Sequence, residues 1–260
     1  MRDFTFRVYG NLLETLLSKK YSFISFKQSL GQKKSVDNYR NIILRHDVEQ
    51  KYEIALQFAK IQNELGIVGT YFFRLLPNHF NQDIVKQIAD LGHEIGYHYD
   101  DLAKCRGDHN KAISRFKENL NILREIAPVQ SICMDGSPLC SYDNKDLWDH
   151  YDYKDYGIIG EPYFDMDFDQ FFYLTDTGRR WDGWKTSVRD KVPQQENWNK
   201  EGLVFHSTND IIRAAKQGKL PNKIMMTFHP QRWHEGGLPW LKELVVQNIK
   251  NQVKRVLVKK

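Results

Sequence analysis

Side chains that could bind a metal ion are concentrated in the stretch LGHEIGYHYDDL, residues Leu91–Leu102. It contains His93 and His98, five residues apart, followed by Asp100 and Asp101. Imidazole nitrogens and carboxylate oxygens are common ligands of hydrolytic zinc sites. We expect His98 to be a ligand and His93 to be a packed, hydrogen-bonded support. The two aspartates are reserve ligands or part of a solvated turn.

Two further segments place acid–base groups directly after apolar runs. His46, Asp47 and Glu49 end NIILRHDVE at residues 41–49, and His229 ends KIMMTFH at residues 223–229. Both runs are typical of buried strands. An imidazole that titrates near roughly pH 6.5 suits proton transfer. Alternatively, Asp47 and Glu49 could cap the following helix, and His229 could be a buried structural histidine.

Two arginine–tryptophan pairs are candidates for substrate contacts. Arg180 precedes Trp181, and Arg232 precedes Trp233. Guanidinium groups bind carboxylates and phosphates, and indole faces stack on sugar rings or cations. Both pairs could therefore bind an acidic or nucleotide-linked sugar. Each pair could equally be a structural clamp that ties an irregular loop to the body of the protein.

Apolar patterning predicts strands that alternate with helices. The expected strands are 21–26, 41–49, 67–75, 93–99, 130–134, 157–160, 171–174 and 223–229, and the expected helices include 51–65, 82–91, 109–126, 145–150, 208–217 and 239–257. This alternation is typical of an α/β parallel sheet that is closed, or nearly closed, into a barrel. We expect one domain over residues 1–260, with a lead-in helix and strand in 1–40 and a C-terminal helix over 239–258.

In barrels of this kind the active site lies at the carboxyl ends of the strands. Asp135 follows the fourth main strand, where it could ligate a metal, orient a histidine or begin an Asp-Gly turn. Tyr163 belongs to the segment Glu161-Pro162-Tyr163, which could line the same cleft. The least regular segment, Arg179–Val204, is expected to be a lid or a surface excursion.

Composition argues against several classes of protein. The net charge is +5, from 38 basic and 33 acidic residues, and no basic stripe indicates a nucleic-acid interface. The 3 cysteines form no CxxC pair, which favours reduced thiols in the cytoplasm. Because no apolar run approaches about 18 residues, we expect no membrane-spanning segment.

The motifs at the strand ends resemble those of a known family. RHDVE, GTYFFR, GHEIGYH and TFHP are similar to segments of the NodB-type polysaccharide deacetylases of carbohydrate esterase family four, over about residues 21–235. Later segments, GSP, GEPY, TDTGRRW and HPQRW, look closer to the WbmS-like offshoot of that superfamily, which is associated with surface-polysaccharide loci. The resemblance implies a distorted (β/α)7 barrel, a divalent metal that we expect to be zinc, and removal of an acetyl group from an N-acetylated sugar.

The resemblance also implies roles for two histidines. His98 matches the first histidine of the family's His-Ser/Thr-x-x-His metal motif, and His229 matches the late histidine that protonates the leaving amine. Leu102 stands where the second metal-binding histidine of the motif would be. One ligand of the family's metal site is therefore missing at its usual position.

The first strand end leaves two registers open. The family has two adjacent aspartates, a general base and a metal ligand, whereas this chain has His46-Asp47-Val48-Glu49. In one register His46 is the base and Asp47 the ligand. In the other, Asp47 is the base and Glu49, on the same face of an extended strand, is the ligand. We expect Asp47 to be a ligand, with Glu49 replacing the missing histidine.

The sequence thus predicts a metal-dependent N-deacetylase that acts on an N-acetylated sugar or a surface-polysaccharide precursor. The alternative is a non-catalytic carbohydrate-binding or scaffold protein on the same barrel, because Leu102 replaces a ligand. Another hydrolase or lyase on this barrel is a third possibility. No sequence pattern indicates an oligomeric state.

Overall fold

A computed structural model describes residues 2–31, 39–137, 140–185, 187 and 189–258. Its centre is a sheet of seven strands, in which every ladder is parallel. The strands are β1 (Ser22–Ile24), β2 (Asn41–Val48), β3 (Thr70–Phe73), β4 (Glu94–Tyr99), β5 (Val129–Met134), β6 (Phe172–Thr175) and β7 (Lys223–Phe228). The predicted α/β class is confirmed.

The sheet is a distorted (β/α)7 arrangement, as predicted. Its order is β5-β4-β3-β2-β7-β6, and β1 pairs with the first half of β2 on the edge that β3 uses further along. Between β5 and β6 the described residues form no ladder, and a single bridge joins Ser131 to Gly160. The strand predicted at residues 157–160 is wrong because only Gly160 pairs before Pro162 begins a helix.

Ten α-helices connect and cover the strands within the described ranges. They are α1 (Phe6–Ser18), α2 (Phe26–Leu30), α3 (Tyr52–Glu64), α4 (Gln82–Asp90), α5 (Asp101–Lys104), α6 (His109–Arg124), α7 (Pro162–Asp165), α8 (Gln195–Lys200), α9 (Thr208–Lys216) and α10 (Gly237–Val258). Short 3₁₀ helices lie at Asn144–Asp149, Tyr153–Tyr156, Gly183–Lys185 and Pro230–Arg232. Among the helices described, none is both long and apolar enough to cross a membrane.

Strand β2 lies in the middle of the core, and all eight of its residues are buried. Successive side chains of a strand point to opposite faces, so β2 divides its polar residues between two environments. Gly96 lets the neighbouring strands approach closely, since a Cβ atom there would lie 2.4 Å from the ring of Phe72. The backbone of β4 is thereby held beside β3, with His98 near its carboxyl end.

The segment 179–204 is not the surface excursion that we expected. Trp181, Val192 and Trp198 are buried in it. The carboxylate of Asp190 accepts hydrogen bonds from the hydroxyls of Tyr173 and of three further residues, Tyr163, Thr175 and Thr177. These contacts fasten the segment to β6, so it is part of the packed body of the protein.

Candidate active site

Five of the predicted residues lie together at the carboxyl ends of the strands. They are Asp47, Glu49, His98, Asp135 and His229. The Nε2 atom of His229 lies 4.0 Å from Oδ2 of Asp47 and 3.9 Å from Oε1 of Glu49. The Nε2 atom of His98 lies 3.7 Å from Oδ2 of Asp135. Two imidazoles thus face three carboxylates at one edge of the sheet.

The structure does not bring His46 into this site. Its ring lies on the opposite face of β2, stacked on Tyr71 with ring centroids 4.1 Å apart. Its Nδ1 atom donates to the carbonyl of Thr70 at 3.2 Å, and Nε2 accepts from Gln62 at 2.8 Å. Burial lowers the pKa of His46 to about 3. The assignment of His46 as general base is therefore wrong, because the side chain cannot reach the other face.

Burial of neutral His46 should make folding stability depend on pH. The unfolded chain takes up a proton at this residue below roughly pH 6.5, whereas the folded chain does not until about pH 3. The free energy of unfolding should therefore fall as the pH is lowered, by up to about 1.4 kcal/mol per pH unit from this residue. Urea unfolding at pH 7 and at pH 4.5 should show a smaller loss in His46→Gln than in the natural protein. Equal losses would contradict this account.

Asp47 is held in the site by a neighbouring arginine on the same strand. The guanidinium of Arg45 donates to both carboxylate oxygens of Asp47, at 2.8 and 2.7 Å, and both side chains are buried. Burial alone would raise the pKa of Asp47, but Arg45, with His98 and His229 nearby, holds it well below its ordinary value. Asp47 is therefore an oriented, ionised carboxylate.

His98 is oriented so that one nitrogen is available to a ligand. Its Nδ1 atom donates to the backbone carbonyl of Cys133 at 3.0 Å, which leaves the Nε2 lone pair facing the site. A hydrogen bond of this kind fixes the ring and tautomer of many metal-binding histidines. The position of His98 fits its predicted role as a ligand.

Among the described residues, two groups of side chains could hold a divalent cation, and both include His98. One comprises Asp47, His98 and Cys133, and the other comprises Glu49, His98 and Asp135. In each group the ligand atoms lie within 4.8 Å of one another. Such imidazole, carboxylate and thiolate donors suit zinc and similar transition-metal ions. These side chains could therefore hold a cation, even though Leu102 occupies the position of one metal-binding histidine of the family motif.

His229 is oriented by Asp176, a fully buried residue just beyond β6. The Nδ1 atom of His229 donates to Oδ1 of Asp176 at 2.6 Å, and the backbone N–H of His229 reaches the same carboxylate. Burial would raise the pKa of Asp176, but His229 and Arg232 opposite hold it below its ordinary value. The Nε2 atom of His229 consequently points toward Asp47 and Glu49.

The predicted substrate contacts of Arg232 and Trp233 are wrong. Trp233 is 0% exposed, and its Nε1 atom donates to Oδ2 of Asp176 at 2.6 Å. Arg232 is buried and donates to the backbone carbonyl of Asp176 at 3.1 Å. An indole enclosed on both faces cannot stack on a sugar. Both residues instead hold the carboxylate that orients His229.

The Arg180–Trp181 pair makes its contacts within the protein, with Asp182 and Thr208. Trp181 is 2% exposed and donates to the hydroxyl of Thr208 at 2.9 Å, so the predicted sugar stacking is wrong. The guanidinium of Arg180 forms a bidentate ion pair with the carboxylate of Asp182, with Nε–Oδ1 and Nη2–Oδ2 distances of 2.5 and 2.7 Å. These contacts are those of the structural clamp that we considered as the alternative.

The aspartates after β4 are committed to arginines and are unsuited as reserve ligands. Asp100 accepts from Arg74 at 2.7 Å and from Arg115 at 2.8 Å. Asp101 accepts from Arg115 and from Tyr97, and burial raises its pKa to about 7. Leu102, in α5, is 2% exposed and packs in the apolar core.

His93 lies away from the site, within the packed body of the protein. Its Nε2 atom donates to the carbonyl of Ala59 at 3.0 Å, and its Nδ1 atom accepts from the backbone N–H of Gly69 at 3.1 Å. Both ring nitrogens are therefore occupied, as expected of a supporting residue.

Tyr163 lies beside the site, at the gap between β5 and β6. Its hydroxyl donates to Asp190 at 2.7 Å and accepts from Arg45 at 3.3 Å, and the guanidinium carbon of Arg45 lies 5.0 Å from the ring centroid. Tyr163 thus connects the Arg45–Asp47 pair to the segment that closes the gap. Direct contact with a substrate remains a prediction.

Sequence reasoning assigned no role to four residues that shape the site: Arg45, Arg74, Asp176 and Asp190. Arg45 could have been found, because it lies two residues before Asp47 and therefore on the same strand face. Asp176 carried the signal of an acid directly after a strand. Arg74 and Asp190 reach the site through contacts that are distant in sequence, and no local spacing indicates them.

The fold and site define an α/β protein with histidines and carboxylates at the carboxyl ends of parallel strands. Neither a family model nor a curated protein matches the chain. Solved structures that match include family four carbohydrate esterases, the family that the strand-end motifs resemble.

Three of these structures illustrate how distant the similarity is. A mutant, with restored enzymatic activity, of a family four pseudoenzyme from Bacillus anthracis has 11% identity and a TM-score of 0.45. The match covers 84% of this chain and 64% of the pseudoenzyme, so this chain spans less than two thirds of that length. A family four carbohydrate esterase from Bacillus anthracis has 10% identity and a TM-score of 0.42, over 93% and 85% of the two chains. A family four esterase from Streptococcus mutans has 14% identity and a TM-score of 0.45, over 85% and 83%.

Proposed function

We propose that this protein is a metal-dependent N-deacetylase acting on an N-acetylated sugar, free, nucleotide-linked or in a surface-polysaccharide precursor. The observation that carries the proposal is the position of Asp47 and of the His229–Asp176 pair beside one potential cation group. Amide hydrolysis needs an oriented water molecule and an acid that protonates the leaving nitrogen. The free cysteines fit a reducing compartment, and we place the reaction in the cytoplasm.

We assign the cation to Glu49, His98 and Asp135. Both oxygens of Asp47 accept hydrogen bonds from Arg45, whereas Oδ1 of Asp135 accepts from Ser137 and its Oδ2 lies 3.7 Å from Nε2 of His98 and 3.3 Å from Nη1 of Arg74. A divalent cation, most simply zinc, would polarise the amide carbonyl and lower the pKa of a water molecule from about 15.7 toward about 7. Asp135 thereby takes the place of the ligand that Leu102 cannot supply.

Asp47, His229 and Asp176 orient the reacting groups and transfer protons. Asp47, fixed and ionised beside Arg45, orients the attacking water and accepts the proton that the water loses as the new C–O bond forms. His229 delivers a proton from Nε2 to the leaving amine. Asp176, which accepts a hydrogen bond from Nδ1, keeps the ring in the required orientation. These roles correspond to the second register at the end of β2, in which Asp47 is the base and Glu49 is a ligand.

A specific observation favours a second candidate function, a non-catalytic carbohydrate-binding protein. Arg45 binds Asp47, and Nη1 of Arg74 lies 3.3 Å from Oδ2 of Asp135. Two guanidinium groups thus partly neutralise carboxylates that a cation would need. In this alternative the arginines replace the cation electrostatically, and the barrel binds a sugar without cleaving it.

Acetate release from a panel of N-acetylated sugars tests the proposal. Protein purified without a histidine tag should bind about one divalent cation, and added zinc or cobalt should stimulate acetate release. His98→Ala should lower metal affinity by more than the roughly 10- to 100-fold typical of residues that only support ligands. Sugar binding without metal or acetate release would instead establish the non-catalytic alternative. His206→Ala is the matched control, since His206 pairs with Asp182 at 3.1 Å outside the site.

A further inference from the structure

Helix α10 carries a row of exposed apolar side chains along its outer face. Leu238 is 81% exposed, Leu241, Val245 and Val253 are each 50% exposed, and Ile249 is 59% exposed. Their spacing of three or four residues places them on one side of the helix. Single exposed apolar residues are ordinary, but a continuous row marks an interaction surface.

The opposite face of α10 is fastened to the body of the protein. Asn251 is buried and donates to the carbonyl of Gly178 at 2.8 Å. Trp240 donates from Nε1 to the carbonyl of Asp3 at 2.7 Å, and its ring lies beneath the guanidinium of Arg179. These anchors determine which face is outward. The apolar row cannot turn into the core without breaking them.

Positive charge accompanies the row. Lys242 and Lys250 are exposed on the same helix. From residue 237 to residue 260 the sequence contains six lysine or arginine residues and one acidic residue, Glu243, which pairs with Lys51 at 3.7 Å. An amphipathic helix with an apolar face and flanking cations is the pattern that binds at the interface of an anionic bilayer.

We propose that the outer face of α10 docks on an anionic lipid surface, with the helix lying in the plane of the membrane. The apolar row would enter the boundary between headgroups and acyl chains, and the lysines would contact the lipid charges. A second copy of this chain is a poorer occupant, because pairing two such helices would bring cations of like sign together. This surface is independent of the proposed deacetylase activity.

Vesicle co-sedimentation of the full chain tests the proposal. The protein should bind vesicles of equal parts phosphatidylcholine and phosphatidylglycerol, and bind pure phosphatidylcholine at least about tenfold more weakly. Lys242→Gln/Lys250→Gln should weaken binding to the anionic vesicles by about tenfold or more. Lys60→Gln/Lys219→Gln, on other exposed parts of the chain, should not.

The apolar row needs its own pair of variants. Val245→Ser/Ile249→Ser should reduce binding by about tenfold, whereas Leu17→Ser/Ile122→Ser, at exposed apolar residues on α1 and α6, should leave it unchanged. Circular dichroism should show equal helix content in both. Equal binding to neutral and anionic vesicles, or binding to neither, would overturn the proposal. So would a dimer, measured by light scattering, that Val245→Ser/Ile249→Ser dissociates.

Discussion

Replacing His229 by alanine is expected to lower the rate of acetate release by about 10²- to 10⁴-fold, the usual contribution of a positioned general acid. Metal content should stay unchanged, because the ring is held by Asp176 and lies outside the proposed cation group. Turnover and metal content, measured on the same preparation, provide the two readouts. The size of the effect follows from the loss of the proton donor facing Asp47 and Glu49.

Two comparisons make this result specific. Asp176→Asn should also slow turnover without removing metal, since it weakens the 2.6 Å contact that orients the ring. His206→Ala should retain full activity, because His206 lies at the Arg180–Asp182 pair. Full activity in His229→Ala would disprove the acid role. Loss of metal in that variant would place His229 among the ligands instead.

The second prediction separates the two registers at the end of β2. Glu49→Gln should weaken metal binding by at least about 100-fold, as expected when a direct ligand is replaced. Asp47→Asn should keep the metal and lose most of the activity, because Asp47 is bound by Arg45 and orients water rather than metal. Calorimetric titration with zinc and an acetate assay measure the two effects.

The Asp47 variant needs a control for folding. Removing one partner of a buried ion pair commonly destabilises a protein by about 3–5 kcal/mol, and both Arg45 and Asp47 are buried. Arg45→Gln/Asp47→Asn removes both charges together and should fold, bind metal and remain inactive. Metal retained in Glu49→Gln but lost in both Asp47 variants would show that Asp47, His98 and Cys133 are the ligands.

The sequence predicted the parts of the site that depend on strand ends. Apolar runs followed by charge located Asp47, Glu49, His98, Asp135 and His229, and parallel pairing explains why their carboxyl ends meet. Strand alternation alone would also have placed His46 on the opposite face from Arg45 and Asp47. The family register puts His46 in the site, whereas the structure places its ring on the opposite face, against Tyr71.

The roles of the two arginine–tryptophan pairs could not be predicted from the local sequence. Adjacent Arg and Trp residues suit both a sugar cleft and a structural clamp, and burial decides between them. For Trp233 that burial comes largely from Phe4, Tyr9 and Phe58, which are distant along the chain. A pattern of a few residues cannot encode contacts across such separations.

The missing ladder between β5 and β6 bears on self-association. An unpaired strand edge can recruit a strand from another molecule and start aggregation. Here the backbone N–H of Ile132 donates to Gly160 at 3.1 Å, and that of Met134 donates to the carboxylate of Glu161 at 3.0 Å. A loop and one acidic side chain therefore occupy donors that an incoming strand would need, and this edge of the sheet is closed to intermolecular β-pairing.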